Sequence, residues 1–192
     1  MLSSRRSSFF GRASEYASAK DFCSIFHKDM NVLYWLALTL TGDEHEAEQC
    51  FIAGFEECIA GNPVFKEWAG SWSRRVVIKS AIRRVAPRPD ATKSTAVLGV
   101  LEQPGSQAPA AQVALASLPP FERFVFVMAV LEGYADRDCA TLLECSITDL
   151  IPAKFRAVQQ IQRAIALSPA LQQEDHGRHR QETAVLNDAH AA

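Results

Sequence analysis

The sequence predicts an all-α protein: two small helical domains joined by a flexible linker, the second a winged-helix-like module built on a helix-turn-helix. Three observations predict it. Apolar residues recur at helical spacing in each long segment on either side of residues 86–111. Residues 86–111 themselves hold Pro87, Pro89, Pro104, Gly105 and Pro109 among alanine, serine and threonine, a composition that packs no core and reads as a linker. Between residues 118 and 165, three helical patterns are separated by turns of only a few residues. A chain of 192 residues holds one compact domain or two small ones, and 48% apolar content supplies a core. The expected division is a tail over 1–19, a first domain over 20–87, the linker over 88–112, a second domain over 113–167 and a polar tail over 168–192.

Each element follows from local chemistry. The serine- and arginine-rich residues 1–14 lack the apolar stretch of a secretory signal and read as a frayed tail. From Asp21 to Leu40, residues Phe22, Ile25, Phe26, Val32, Leu33, Leu36, Ala37 and Leu40 keep one stripe, so this is one helix or two nearly continuous ones. Thr41-Gly42-Asp43 breaks it, and Glu44, Glu46 and Glu48 favour a new helix start through the dipole. That helix buries Ala47, Phe51, Phe55 and Ile59 and ends at Gly61-Asn62-Pro63. The next carries Trp68, Trp72, Val76 and Ile78 and runs to about Val85. Within residues 86–111, the apolar island Val97-Leu98-Gly99-Val100-Leu101 is a segment with the chemistry to dock.

The second domain opens on Leu118-Pro119-Pro120, whose prolines suit a first helical turn because the missing N–H costs little there. Phe121, Phe124, Val125, Met128 and Leu131 mark the buried face, and Gly133 supplies the left-handed stop. A short helix from about Ala135 to Leu143 turns inward with Cys139, Leu142 and Leu143. Glu144-Cys145 forms the turn. Ser146, Thr148 or Asp149 then caps a last helix carrying Leu150, Phe155, Ala157, Val158 and Ile161. Pro152 is accommodated only with Asp149 as the cap, which puts it in the first turn. Two helices on a short turn, braced by an earlier one, can lay the last helix in a DNA major groove.

Composition narrows the function. A net charge of −2 gives no global basic field, so any nucleic-acid contact needs a local patch. Five cysteines without a Cys-x-x-Cys pair fit a reduced cytoplasmic protein using cysteine as a small hydrophobe. His176 and His179 stand in a polar tail without further ligands, so neither metal nor cofactor is expected. No Ser-His-Asp set or glycine-rich phosphate loop is present, which argues against an enzyme and a catalytic site. No apolar run approaches the ~18 residues of a membrane span.

The local patch exists. Lys66, Arg74, Arg75, Lys79, Arg83, Arg84 and Arg88 crowd one helix and its flanks, with Glu67 the only acid. Arg75, Lys79 and Arg83 lie four apart and share a face, an arrangement that attracts phosphates. A solvated charged face without a partner is the plain alternative, and the DNA reading requires these cations to be free of the protein's own carboxylates. Trp35 and Trp68 read as core tryptophans. Trp72, beside Arg74-Arg75, is as good a candidate to flank an unstacked base. On the last helix Thr148, Lys154 and Arg156 are placed to reach base edges or the backbone, with Arg163 further on. Gln159, Gln160 and Gln162 follow, amides able to read adenine but more often only solvated.

At these residues a family resemblance enters. Leu118-Pro119-Pro120-Phe121-Glu122-Arg123, then Leu131-Glu132-Gly133-Tyr134-Ala135-Asp136-Arg137-Asp138-Cys139-Ala140, Leu142-Leu143, Ser146 and Arg156-Ala157 resemble the fourth conserved region of bacterial RNA polymerase sigma factors. The extracytoplasmic-function group is the most similar. Leu33 to Asp43, Glu46-Ala47-Glu48, Phe55, Trp68 and Arg74 resemble the second region, in the right order and with a linker between. The resemblance covers about two-thirds of the chain. It implies a transcription initiation factor that binds core RNA polymerase and promoter DNA, with a possible anti-sigma partner. It places polymerase contact on Glu46, Glu48, Gln49, Ile52 and Phe55. Departures from the pattern are specific. Ile52-Ala53-Gly54 replaces a Gln-Glu-Thr type run and Gln49 an acid, so the usual polar pairs with polymerase are missing. Arg75 and Lys79 replace asparagine and aspartate, and Glu144 a turn glycine. The alternative implied is a sigma-like protein that regulates by binding protein, without directing initiation.

Overall fold

A computed structural model describes residues 15–61, 63–89 and 110–167. The tails at 1–14 and 168–192 and most of the expected linker, including the apolar island at 97–101, lie outside the described residues. Among the described residues the chain is almost entirely helical, and the one β-type pairing is an isolated bridge between Tyr16 and Phe65. The all-α expectation holds.

The stripe over residues 21–40 divides into α1 (Ala19–Lys28) and α2 (Met30–Thr41), parted at Asp29. Ser18 and Asp21 cap α1 reciprocally, each side chain taking the other's backbone N–H. Gly42, left-handed at φ 73°, ends α2. Asp43 accepts from Glu46 N and starts α3 (Glu44–Ile59). A short turn at Lys66–Trp68 leads into α4 (Ala69–Val85). These helices bury Phe22, Leu33, Leu40, Val76, Val77 and Ile78 in one cluster. Gly54 lets α3 approach α4 closely, because a Cβ there would lie 2.9 Å from Val77 Cγ2. Gly54, the last residue of the Ile52-Ala53-Gly54 run that departs from the family's polar pattern, is buried.

After the linker come α5 (Ala110–Ser117), α6 (Pro120–Phe126, continued by one wider turn to Leu131), α7 (Asp136–Leu142) and α8 (Ile147–Ala166). Gly133 takes φ 71°, as its stop role requires, and Glu144 takes φ 50° in the turn between α7 and α8. For a residue with a Cβ that costs about 1–2 kcal/mol. Phe121, Phe124, Val125 and Met128 of α6 belong to the same buried cluster as α1–α4, so the halves on either side of the linker share one core. Arg123, 1% exposed, ties them further. Its guanidinium donates to the carbonyls of Leu40 (3.2 Å) and Thr41 (3.4 Å) at the C-terminus of α2, and to Ala116 (3.4 Å). A helix C-terminus is the negative end of the dipole, which suits a cation. Burial still pushes this group down to about 10, and its Nε has no hydrogen-bond partner.

Several expectations are corrected. Ile59 and Leu131, expected on buried faces, are 39% and 57% exposed, each at the last turn of its helix. Trp35, on α2, and Trp68, at the end of the short turn before α4, are 48% and 57% exposed and are not core residues. Asp149 is not the cap of α8. Ser146 is, accepting from Asp149 N at 3.1 Å, which moves Pro152 out of the first turn and into the helix body.

Candidate nucleic-acid interface

α4 presents two sides. Val76, Val77, Ile78 and Ala81 face inward, fully buried. Its cations face outward or sideways, and each meets a group of the same chain. Lys79 Nζ lies 3.2 Å and Arg83 Nη2 3.0 Å from the two carboxylate oxygens of Glu57 on α3. Arg84 pairs with Glu46 at 2.9 Å. Lys66 lies 3.6 Å from Asp21. Burial pushes the Glu57 carboxyl up, but hydrogen bonds from Arg83 and Lys79 outweigh it and leave the group below its ordinary range.

The start of α4 is held from the other half. Arg74 grips Glu132 as a fork, Nε to Oε2 at 2.6 Å and Nη2 to Oε1, and the Glu132 side chain is only 9% exposed. The Glu132 hydrogen bond raises the Arg74 guanidinium further above its usual value. Arg75 lies over the Tyr134 ring, 5.8 Å from the centroid. Between these groups opens a cleft of about 830 Å³ lined by Phe65, Trp68, Trp72, Arg74, Arg75 and Tyr134, among others. Trp72 Nε1 has no hydrogen-bond partner. Phe65 stacks on Tyr16 at 4.7 Å and meets Trp68 edge-on at 5.2 Å. Aromatic faces with a flanking guanidinium suit a flat ring such as an unstacked base.

α8 is different. Of the residues expected to reach DNA, Thr148 is exposed but shares a 2.6 Å hydrogen bond with Ser146, the cap. Lys154 pairs with Asp136 at 2.7 Å and Arg156 Nε with Glu122 at 2.6 Å. The positions between them on the outward side are Ile151, Pro152 and Phe155, all exposed. The residues expected on the polymerase face of α3 divide. Glu48 and Ile52 point out, Gln49 is half-buried, Glu46 pairs with Arg84, and Phe55 lies edge-on to Phe26 at 5.2 Å.

Thus Trp72, Arg74 and Arg75 come together at one cleft, Lys79, Arg83 and Arg84 continue outward along α4, and Thr148, Lys154 and Arg156 lie on α8. Sequence reasoning missed Arg123, Glu132 and Tyr134 as partners. Nothing local signals any of the three: Arg123 stands beside Glu122 and reads in the sequence as one of two solvated charges. Among the described residues no helix is long and apolar enough to cross a membrane, and no cluster of three potential metal ligands occurs. Comparison with protein-family models, curated proteins and solved structures gives no match.

Proposed function

We propose that this chain is a divergent sigma-like transcription initiation factor of the extracytoplasmic-function type. It would bind core RNA polymerase through the outward side of α3 and promoter DNA through α4. The observation that carries the reading is the juxtaposition, at one end of α4, of an aromatic and arginine-lined cleft with a row of cations four residues apart. The cleft fits an unstacked base and the row fits a phosphate backbone. The two regional sequence patterns, in order, support it, as does the succession of α7, a short turn at Glu144 and α8, which a helix-turn-helix would require. The condition that these cations be free of the protein's own carboxylates is not met: Arg74, Lys79, Arg83 and Arg84 are all paired, so the reading needs DNA phosphate to displace Glu57 and Glu46. Arg83 is 54% exposed and Arg84 34%, and exposed pairs are worth only about 0–1 kcal/mol, so a phosphate can replace the carboxylate.

A second reading has its own observation. Arg74 and Arg75 are engaged by Glu132 and Tyr134, and α8 offers no unengaged cation among Lys154 and Arg156. That favours a sigma-like protein that regulates by binding protein without directing initiation. The test is direct. The purified chain is mixed with core polymerase from its native host and followed by co-migration, then by run-off transcription from genomic sites it occupies. Co-migration and run-off product are expected; a clean failure to bind core removes the first reading. If Arg74→Ala, Arg75→Ala and Lys79→Ala together leave activity in the cell intact, the second reading stands instead.

A further inference from the structure

Between α6 and α7 runs a short segment, Glu132-Gly133-Tyr134, that lies against the first turns of α4. Its backbone is pinned to α6. The Glu132 N–H donates to the Val127 carbonyl at 2.8 Å and the Tyr134 N–H to the Met128 carbonyl at 2.9 Å. Gly133, at φ 71°, makes the left-handed turn between them without the strain a Cβ would bring. The side chains on either side of it both reach α4. Glu132 takes Arg74 in a two-bond fork, Nε to Oε2 at 2.6 Å and Nη2 to Oε1. The Tyr134 ring takes the Arg75 guanidinium, 5.8 Å from its centroid.

A carboxylate offers a guanidinium the same pair of oxygens as a phosphate does, and a phenol ring offers it the same kind of face as a base. Acid and ring stand two residues apart on one backbone, as phosphate and base belong to one nucleotide. We propose that Glu132 and Tyr134 form a built-in nucleotide mimic, which occupies Arg74 and Arg75 until unpaired DNA displaces it. The role rests on α4 binding DNA, as proposed above, and adds that the second half of the chain holds that site shut. Its first support is which cations are taken. Arg74 and Arg75 line the cleft with Trp68 and Trp72, whereas Lys79, Arg83 and Arg84 are met by Glu57 and Glu46 of their own half. The second support is access. The Arg74 side chain is 36% exposed and Arg75 is half-buried, so an incoming strand reaches both. The third is that the halves are joined elsewhere. Arg123 binds the Leu40 and Thr41 carbonyls, and α6 shares the buried cluster of α1–α4. Glu132 and Tyr134 can thus let go by side-chain movement while the core stays closed.

The experiment measures binding of the full chain to a fluorescein-labelled duplex with a central unpaired stretch, by fluorescence anisotropy. Wild type, Glu132→Gln and Tyr134→Leu are compared. Leucine keeps bulk at 134 and removes the ring face, and circular dichroism verifies that each variant keeps its helices. With the mimic engaged about ten times as often as not, each substitution should tighten binding by up to about tenfold. Adding Arg74→Ala to Glu132→Gln, or Arg75→Ala to Tyr134→Leu, should abolish the gain, which a mere loosening of the fold would leave in place. A second readout needs no affinity. The chain has three tyrosines, so 3-fluorotyrosine labelling gives three fluorine signals, and the one lost in Tyr134→Leu belongs to Tyr134. On adding the DNA that signal should move towards its position in Arg75→Ala. A wild type that binds while the variants bind no tighter, or while the Tyr134 signal stays still, overturns the mimic and leaves the DNA role of α4 standing. No binding by wild type or by either variant removes the DNA role itself, and the mimic with it.

Discussion

α4 and α8 are built on one plan with opposite outward chemistry. Each is a long helix with a buried apolar face, and each carries a row of three residues four apart on another face. On α4 the row is Arg75, Lys79 and Arg83; on α8 it is Ile147, Ile151 and Phe155. Sequence assigns both helices to DNA. In the folded chain the α4 row is basic but already engaged, and the α8 row is free but apolar. Spacing tells which residues share a face. Whether that face is available depends on acids brought in from other elements.

The largest effect tests whether the two helices rest on one core. Phe124, fully buried on α6, packs in the cluster that also holds the inner residues of α4. Phe124→Ala should cost about 3–5 kcal/mol. Trp35, Trp68 and Trp72 all lie before the linker, so tryptophan fluorescence during urea unfolding reports the first half alone. A shared core moves that transition even though the substitution lies in the second half. An unmoved tryptophan transition would separate the halves. Next in size, Pro152→Ala should stabilise α8. Proline in a helix body removes the N–H that would reach the Thr148 carbonyl and costs up to about 3 kcal/mol, and this position is exposed, so alanine loses no packing. A gain in urea midpoint checks it; no gain would mean the turn after Ser146 already absorbs the defect.

Each helix also has a buried thiol behind it. Cys58 on α3 meets Ser73 of α4, and Cys139 lies on α7. Burial pushes both thiols up to about 11 from 9.0. The folded chain then holds protons that the unfolded chain releases between pH 9 and 11. Stability should be flat below pH 9 and fall across that window. Cys58→Ala and Cys139→Ala should each flatten the fall, measured by urea melts at stepped pH. A fall that survives both substitutions would assign it to other groups.

The Arg74–Glu132 fork is where one half restrains the other's candidate site. Glu132→Gln replaces a charged acceptor that is only 9% exposed, and should destabilise by about 1–3 kcal/mol. It should also release Arg74, so duplex affinity in fluorescence anisotropy rises as stability falls. If both fall together, Arg74 serves the fold and not the nucleic acid.

The fold was largely legible because its signals are local. Ser18, Asp43 and Ser146 cap within three residues, Gly42 and Gly133 stop helices by their own backbone freedom, and helical spacing marks the inner faces. The candidate site was legible only as a set of residue types. Glu57 lies 22 residues before Lys79, and Glu132 lies 58 after Arg74, so no window on the sequence shows their pairing. Trp35 and Trp68 fit an apolar spacing but not a packed position, because spacing does not say where the neighbouring helix ends. Three residues able to cap α8 stood close together, and only the shape of the turn chose Ser146.

The smallest effect on stability carries the most information about α4. Lys79 and Arg83 share Glu57 through two partly exposed ion pairs. Each is worth about 0–1 kcal/mol, so Lys79→Ala and Arg83→Ala should barely move the urea midpoint. Duplex binding should respond far more. Each phosphate left without its cation reduces the log–log salt slope by about 0.9, so the double variant should lower the slope by up to about two units if both cations leave Glu57 for phosphate. Ile151→Gln on α8 is the matched control: it changes a surface of equal spacing on the other helix and should leave the slope untouched. A double variant with an unchanged slope would mean that Glu57 keeps its cations in the presence of DNA. The outward side of α4 would then be a neutralised surface, and the difference between the two helices would be only one of residue type.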